Sequence, residues 1–385
     1  LRFPLYPLFV APTLYFLIRG LRKSKINDLI IAGIFLGIGL HGYSPIRFMP
    51  FVVLLAVGCY LIHNSSKGNR KATLQGLLIL AFFSLILFLP LFRYWTEDPA
   101  MFGYRAMSRL SSVEKDIPGP VFLVFLKNVW DSLIMFFWNN GNIWVHSVTG
   151  RPALDVISAV FFFQGLIIVA SRYIRDRNWV DIFLLLSIPL LMMPSILSLA
   201  FPEENPSLNR SGGAIIPVFL IAGIGFENLF SFLWKKTLSN SSRAFVIVLG
   251  IGLLSMSMIQ NKDLVFNQYK NQFSAGAWNT SEMGKLIQAF SESTGDLDRA
   301  YVVPFPHWVD TRLVGINAGY PQKDYALWPE DFWSVETVNG AKMFIIKPED
   351  QTSIAALLEM FPEGLLTLHE SPYDGKDFYM LYVPR

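Results

Sequence analysis

Four polar stretches interrupt an otherwise apolar chain, and each brings a cation. HGYSPIRF (41–48) places His41, Tyr43, Ser44 and Arg47 between two long apolar runs. RYWTEDPAMFGYRAMSRLSSVEKD (93–116) carries Arg93, Arg105 and Arg109, NNGNIWVHSVTGRPALD (139–155) carries His146 and Arg151, and FPEENPSLNRSGG (201–213) carries Arg210. A guanidinium group binds phosphate bidentately and stays charged at any working pH. Gathered on one membrane surface, these arginines suit an anionic group at headgroup depth, such as the phosphate of a lipid carrier. Taken singly, each is also explained by snorkelling, with its alkyl stem in lipid and its head at the interface.

The same stretches hold Glu97, Asp98, Glu114, Asp116, Glu203 and Glu204. Any of them is a chemically adequate general base, but loop solvation is the expected role of most. Tyr43 and Ser44 fit a turn ahead of Pro45. His41 and His146 lack a second ligand at metal spacing. No nucleotide-binding glycine loop, CxxC pair or Ser–His–Asp order occurs.

The elements that must position these residues follow from composition. The chain has 385 residues, 52% hydrophobic and 16% charged, against about 25% charged in a soluble domain. Mean hydropathy is +0.40. Apolar runs near 3–18, 28–42, 46–62, 74–92, 154–171, 180–200, 212–233 and 244–260 predict eight spans. Their interiors hold almost no ionisable group apart from Glu227, and Gly-rich patches such as GIFLGIGLHG suggest close helix packing. No internal repeat stands out.

Sidedness follows from basic residues. The links 19–27, 63–73, 172–179 and 234–243 carry 13 Lys and Arg in 38 residues, Lys67 among them, whereas the links 41–47, 93–153 and 201–211 carry eight in 79. The positive-inside rule puts the first set in the cytoplasm and the second outside. VFLVFLKNVWDSLIMFFW (121–138) would break that pattern as a span, so an interfacial helix with Trp130 and Trp138 at headgroup depth is expected. The last part, 261–385, has a net charge of −7. It alternates strand-like runs (RAYVVPF, KMFIIK, GLLTLHE, DFYMLYVP) with helix-like ones, as a small α/β domain does. Its aromatic stretch YVVPFPHWVD…YPQKDYALWPEDFW reads as core or as a sugar-binding platform. The expectation is a polytopic α-helical membrane protein of about eight transmembrane helices plus an interfacial helix (1–260), with an extracytoplasmic α/β domain (261–385).

The order GYSPIRFMP, DPAMFGYRAMSRLS, an interfacial helix, NIWVHSVTGRPALD and NPSLNRSGGAIIPVF, with an external α/β tail, resembles the GT-C superfamily of membrane glycosyltransferases. The branch it is similar to holds bacterial protein O-mannosyltransferase-like and aminoarabinose transferase-like proteins. The resemblance implies an inner (plasma) membrane enzyme that moves a sugar from a polyprenyl-phosphate donor to a lipid, glycan or protein acceptor at the outer face. It implies a catalytic carboxylate in a first external loop ahead of these residues, so the chain is expected to be N-terminally truncated and inactive alone. Tyr43 and Arg47 match the family's turn motif, and Arg210 matches the arginine before a late span. His146–Ser147 stands where the family often has His–Asn, which weakens a specific role for His146. Donor phosphate binding is expected at Arg47, Arg105, Arg109 and Arg210, with Tyr43, His146 and Arg151 in substrate-site loops. Use of a divalent metal stays open, and no nucleic-acid partner is expected. The rivals are a secondary transporter or permease, which would bind substrate at mid-bilayer between broken helices, and a membrane-anchored module whose tail does the work.

Overall fold

The computed structural model describes residues 3–63, 70–294 and 296–384, so Lys67 lies outside the described residues. The chain divides into two compact units, Leu1–Asn267 and Gln268–Arg385.

The first unit is helical: α1 (Leu5–Lys23), α2 (Ile26–Gly39), α3 (Met49–Ile62), α4 (Arg70–Glu97), α5 (Pro99–Leu110), α6 (Val121–Ile134), α7 (Val156–Asp176), α8 (Trp179–Ile196), α9 (Ile215–Lys236) and α10 (Asn240–Asp263). Among the described residues six helices are long and apolar enough to cross a membrane: Ser44–Ile62, Arg70–Glu97, Val156–Asp176, Trp179–Ile196, Gly212–Lys236 and one beginning at Asn240. They cover six of the eight predicted stretches, and α1 and α2 occupy the other two. With 14 residues, α2 reaches about 21 Å, short of a bilayer's hydrocarbon core.

Two expectations about boundaries need correction. Cations assigned to links sit on helix ends: Arg19, Arg22 and Lys23 belong to α1, Arg172 and Arg175 to α7, and Lys235 and Lys236 to α9. The helices continue because backbone hydrogen bonds are satisfied within them wherever the apolar run stops. Residues 93–110, expected as a polar link, are also helical. Asp98 caps α5 by accepting from Met101 N at 3.0 Å, with Pro99 at the first helical position, a start signal that polarity alone hides.

Glycines set the helix packing. A Cβ on Gly33 would lie 2.4 Å from the Leu80 carbonyl oxygen, and one on Gly37 would lie 2.7 Å from that of Ser84. α2 and α4 therefore meet backbone to backbone. Gly165 and Gly225 do the same for α7 and α9, with such a Cβ 2.0 Å from Ile221 O and 2.2 Å from Phe161 O. α6 presents an apolar exterior, with Trp130 65% exposed, while Asn128 and Ser132 are fully buried, Asn128 donating to Ile196 O of α8 and Ser132 to Asn205 Oδ1.

The second unit contains α11 (Lys270–Gly276), α12 (Thr280–Thr294), β1 (Ala300–Val302), α13 (Thr311–Asn317), α14 (Trp333–Glu336), β2 (Lys342–Ile346), α15 (Gln351–Met360), β3 (Leu365–His369) and β4 (Phe378–Val383). The sheet order is β1-β2-β4-β3, with β1 parallel to β2 and the other neighbours antiparallel. Side chains alternate across a strand. Met343 and Ile345 thus join one core with Met283 and Ile287 of α12, while Phe344 and Ile346 join another with Leu357 of α15. The aromatic stretch divides: Trp308, Tyr325 and Phe332 are core, and Trp328 and Trp333 are exposed.

Candidate anion site at the helix ends

The 41–48 turn closes because Gly39 lets it fold back; a Cβ there would meet Ile46 Cδ1 at 2.7 Å. Tyr43 is extended, and Pro45 opens a short 3-10 helix, Ser44–Phe48, whose Ile46 is buried. Arg47 is thereby aimed at α5. Its Nη1 donates to Phe102 O at 3.2 Å and its guanidinium carbon lies 4.1 Å from the Phe102 ring centre. Its Nε is buried without an acceptor.

Phe102, Arg105 and Arg109 lie along one side of α5, three and four residues apart. Arg105 is exposed. Arg109, in the last turn, stacks 4.0 Å from the Phe201 ring centre and lies 3.2 Å from Glu204 Oε1. That contact pairs charge without an aligned hydrogen bond, so Arg109 Nη1 also lacks an acceptor. Glu204 Oε2 takes the Nη2 of Arg210, whose Nη1 donates to Ser198 Oγ at 2.9 Å. Beside it Lys115 Nζ donates to Glu203 at 2.6 Å, and this hydrogen bond holds the Glu203 carboxyl below its ordinary pKa.

The 201–211 segment is fixed from below by buried Asn205. Its Nδ2 donates to Asn128 O at 3.0 Å, and its Oδ1 accepts from Ser132 Oγ at 2.9 Å and Ser195 Oγ at 2.7 Å. One amide thus ties the segment to α6 and α8. The 139–150 segment approaches through Gly141, at φ 94°, where a Cβ would sit 2.3 Å from Pro206 O. Tyr43 joins the same assembly: its hydroxyl accepts from Asn209 Nδ2 at 2.9 Å, and Phe3 places its ring edge on both Tyr43 and His146.

The structure therefore brings Arg109 and Arg210 together on Glu204, Arg47 onto α5, and Tyr43 and His146 onto Phe3. Arg105 lies on the α5 stripe, and Arg93 is engaged by Glu97 at 2.6 Å. Arg151 contributes its carbonyl to Asn140 N at 2.8 Å, and burial lowers its pKa. His41 Nε2 meets Leu87 O at 2.7 Å. Arg109 and Arg210 share a single carboxylate, Glu204, while Arg47 sits on Phe102 and Arg105 is exposed on α5, so the Arg109–Arg210 pair is cationic. It can hold a phosphate and stabilise charge that grows on it. Among the described residues no group of three or more His, Cys, Asp or Glu is placed to hold a metal.

Sequence reasoning missed the bridging role of Glu204, read there as loop solvation, and the stacking of Phe102 and Phe201. Glu204 is six residues from Arg210 but far from Arg109 in the chain, so no local periodicity marks it. It also missed a repeat at the opposite helix ends. Arg19 Nε and Nη2 grip Asp28 at 2.7 and 2.6 Å, and Arg172 grips Asp181 through the same atoms; both pairs are nine residues apart. A left-handed residue stands at the same place in each hairpin, Ser24 at φ 50° and Arg177 at φ 49°. Asp28 and Asp181 are 3% and 0% exposed, which corrects the expectation that Glu227 was the main ionisable group within the predicted spans.

The six long apolar helices are those of a polytopic membrane protein. Residues 4–95, which include Tyr43 and Arg47, match the family model described as dolichyl-phosphate-mannose-protein mannosyltransferase. The match supports a membrane glycosyltransferase of the GT-C type, the class the resemblance implied. No curated protein and no solved structure matches the chain.

Proposed function

We propose that the chain takes part in moving a sugar from a polyprenyl-phosphate donor to a lipid, glycan or protein acceptor at the extracytoplasmic face of the inner (plasma) membrane. The observation that carries the reading is the arginine cluster, where Arg47 Nε and Arg109 Nη1 are buried guanidinium nitrogens without acceptors. The family match to residues 4–95 supports the same donor class. A lipid tail confines the donor to two dimensions and sets its phosphate at a fixed height, so positioning supplies much of the rate. Breaking the glycosyl–phosphate bond adds negative charge to the carrier phosphate. Arg47, Arg109 and Arg210 are held by Phe102, Phe201 and Ser198 respectively, and cations already in place favour that charge over the ground state. Arg105, exposed on the same stripe of α5, adds a fourth positive charge. Tyr43, His146 and Arg151 shape the surrounding loops. The acceptor hydroxyl gives its proton to a carboxylate that the resemblance places in the first external loop. The −7 net charge of 261–385 suits an extracytoplasmic domain facing acceptors rather than anionic lipid.

The test replaces Arg47 and Arg210 singly with Gln in nanodisc-held protein and measures retention of undecaprenyl-phosphate-linked sugar. Each substitution is expected to weaken binding by about tenfold or more, the size of one charge-assisted contact. Unchanged binding in both would remove the cluster from the donor site. A transporter is not favoured by the family match, and substrate flux in proteoliposomes without sugar transfer would reverse that order.

A further inference from the structure

We propose that Glu204 is a built-in competitor for the anion this cluster receives: it occupies Arg109 and Arg210 in the empty protein and yields them to a phosphate-bearing lipid. The inference rests on the phosphate reading above and adds an exchange step to it.

A carboxylate and a phosphate present the same face to a guanidinium group, paired oxygens that accept a fork of N–H bonds. Glu204 therefore stands where such a ligand would bind. Its side chain is 28% exposed, between Arg109 at 21% and Arg210 at 17%, so the site opens to solvent while its cations are largely enclosed. The grip is incomplete, because Arg109 Nη1 approaches at 3.2 Å without an aligned bond. Asp181, by contrast, accepts from both Nε and Nη2 of Arg172.

Departure of Glu204 would not scatter the arginines. Arg210 keeps Ser198, Arg109 keeps the Phe201 ring, and the Pro202–Glu204 turn keeps Lys115 through Glu203. The cations are positioned independently of the carboxylate that neutralises them, as an exchangeable anion requires. One carboxylate charge set against two guanidinium charges leaves the pair cationic. The donor's phosphodiester carries a single negative charge and exchanges with Glu204 on even terms. The monoester product, at about −1.5 to −2 at neutral pH, is the stronger ligand, and a returning Glu204 would help displace it after transfer.

Carboxyl footprinting of the wild-type chain in nanodiscs tests the exchange. Carbodiimide labelling is read by mass spectrometry with undecaprenyl phosphate, with phosphatidylglycerol, or with inorganic phosphate. Undecaprenyl phosphate is expected to raise Glu204 labelling several-fold and leave Glu203 unchanged. Glu204→Gln is expected to bind undecaprenyl phosphate about tenfold more tightly, and Glu204→Asp, which keeps the charge, within about threefold of wild type. Flat Glu204 labelling while the lipid binds overturns the exchange alone. So does a Glu204→Gln protein of unchanged thermal midpoint that binds no tighter; if that variant fails to fold, the footprint decides. A rise with phosphatidylglycerol or inorganic phosphate but not with undecaprenyl phosphate overturns a role for the polyprenyl carrier. Failure of the wild type to bind undecaprenyl phosphate at all overturns the phosphate reading and the exchange with it.

Discussion

Arg19 and Arg172, at one set of helix ends, each close on a single buried aspartate nine residues further on. At the opposite ends Arg109 and Arg210 share Glu204, and Arg47 has an aromatic ring and a carbonyl where a carboxylate could be. The first arrangement neutralises every charge it uses and satisfies both bidentate bonds, so it joins helices and leaves nothing to offer. The second leaves positive charge and unfilled N–H groups. Cations of the same type are thus fully paired at one end and only partly paired at the other, and the distinction lies in how many carboxylates accompany them.

The largest test of that contrast is Arg172→Ala. It strands the fully buried Asp181 carboxylate, and removing one partner of a buried pair costs about 3–5 kcal/mol. The low end is expected because the Arg172 side chain is 36% exposed. A fall in thermal midpoint with anion affinity unchanged in the folded fraction confirms a purely structural pair; a parallel loss of anion binding breaks the comparison. Gly165→Ala comes next. Its new Cβ would sit 2.0 Å from Ile221 O, forcing α7 from α9 at a cost of about 1–3 kcal/mol, read as a lower unfolding temperature.

Arg47→Gln should reverse the pattern, with a stability change within about 0.5 kcal/mol and an anion affinity loss of about 1.4 kcal/mol, tenfold. A variant that unfolds while its folded fraction binds normally would make Arg47 structural like Arg172. The smallest effect is acidification. Because Lys115 depresses the Glu203 pKa, the stability from this pair is fully present above the ordinary carboxylate value. It is lost as pH falls through the depressed one. Exchange of amides in 111–116 should rise only below the ordinary carboxylate range, and a rise near neutral pH would show that another group holds the segment.

Much of the fold was legible. The predicted strands became β1–β4, and six predicted spans became long apolar helices, because periodicity and apolar length are local properties. Capping was legible as well, yet Asp98–Pro99 was passed over in favour of loop polarity, so α5 was missed. The arginines of the site could be named from sequence, but their company could not. The Arg-to-Asp repeat at nine residues was present in the letters, yet only a hairpin makes that spacing a contact.

Sequence alone determined that this is a helical membrane chain with a separate acidic α/β segment, since burial in lipid demands apolar runs whatever their arrangement. Tertiary structure alone decided which arginines are neutralised and which remain available. Ion pairing needs atoms within about 4 Å, and for Arg109 and Glu204 that distance is set by α5 docking on the 201–211 segment, through contacts no local pattern encodes.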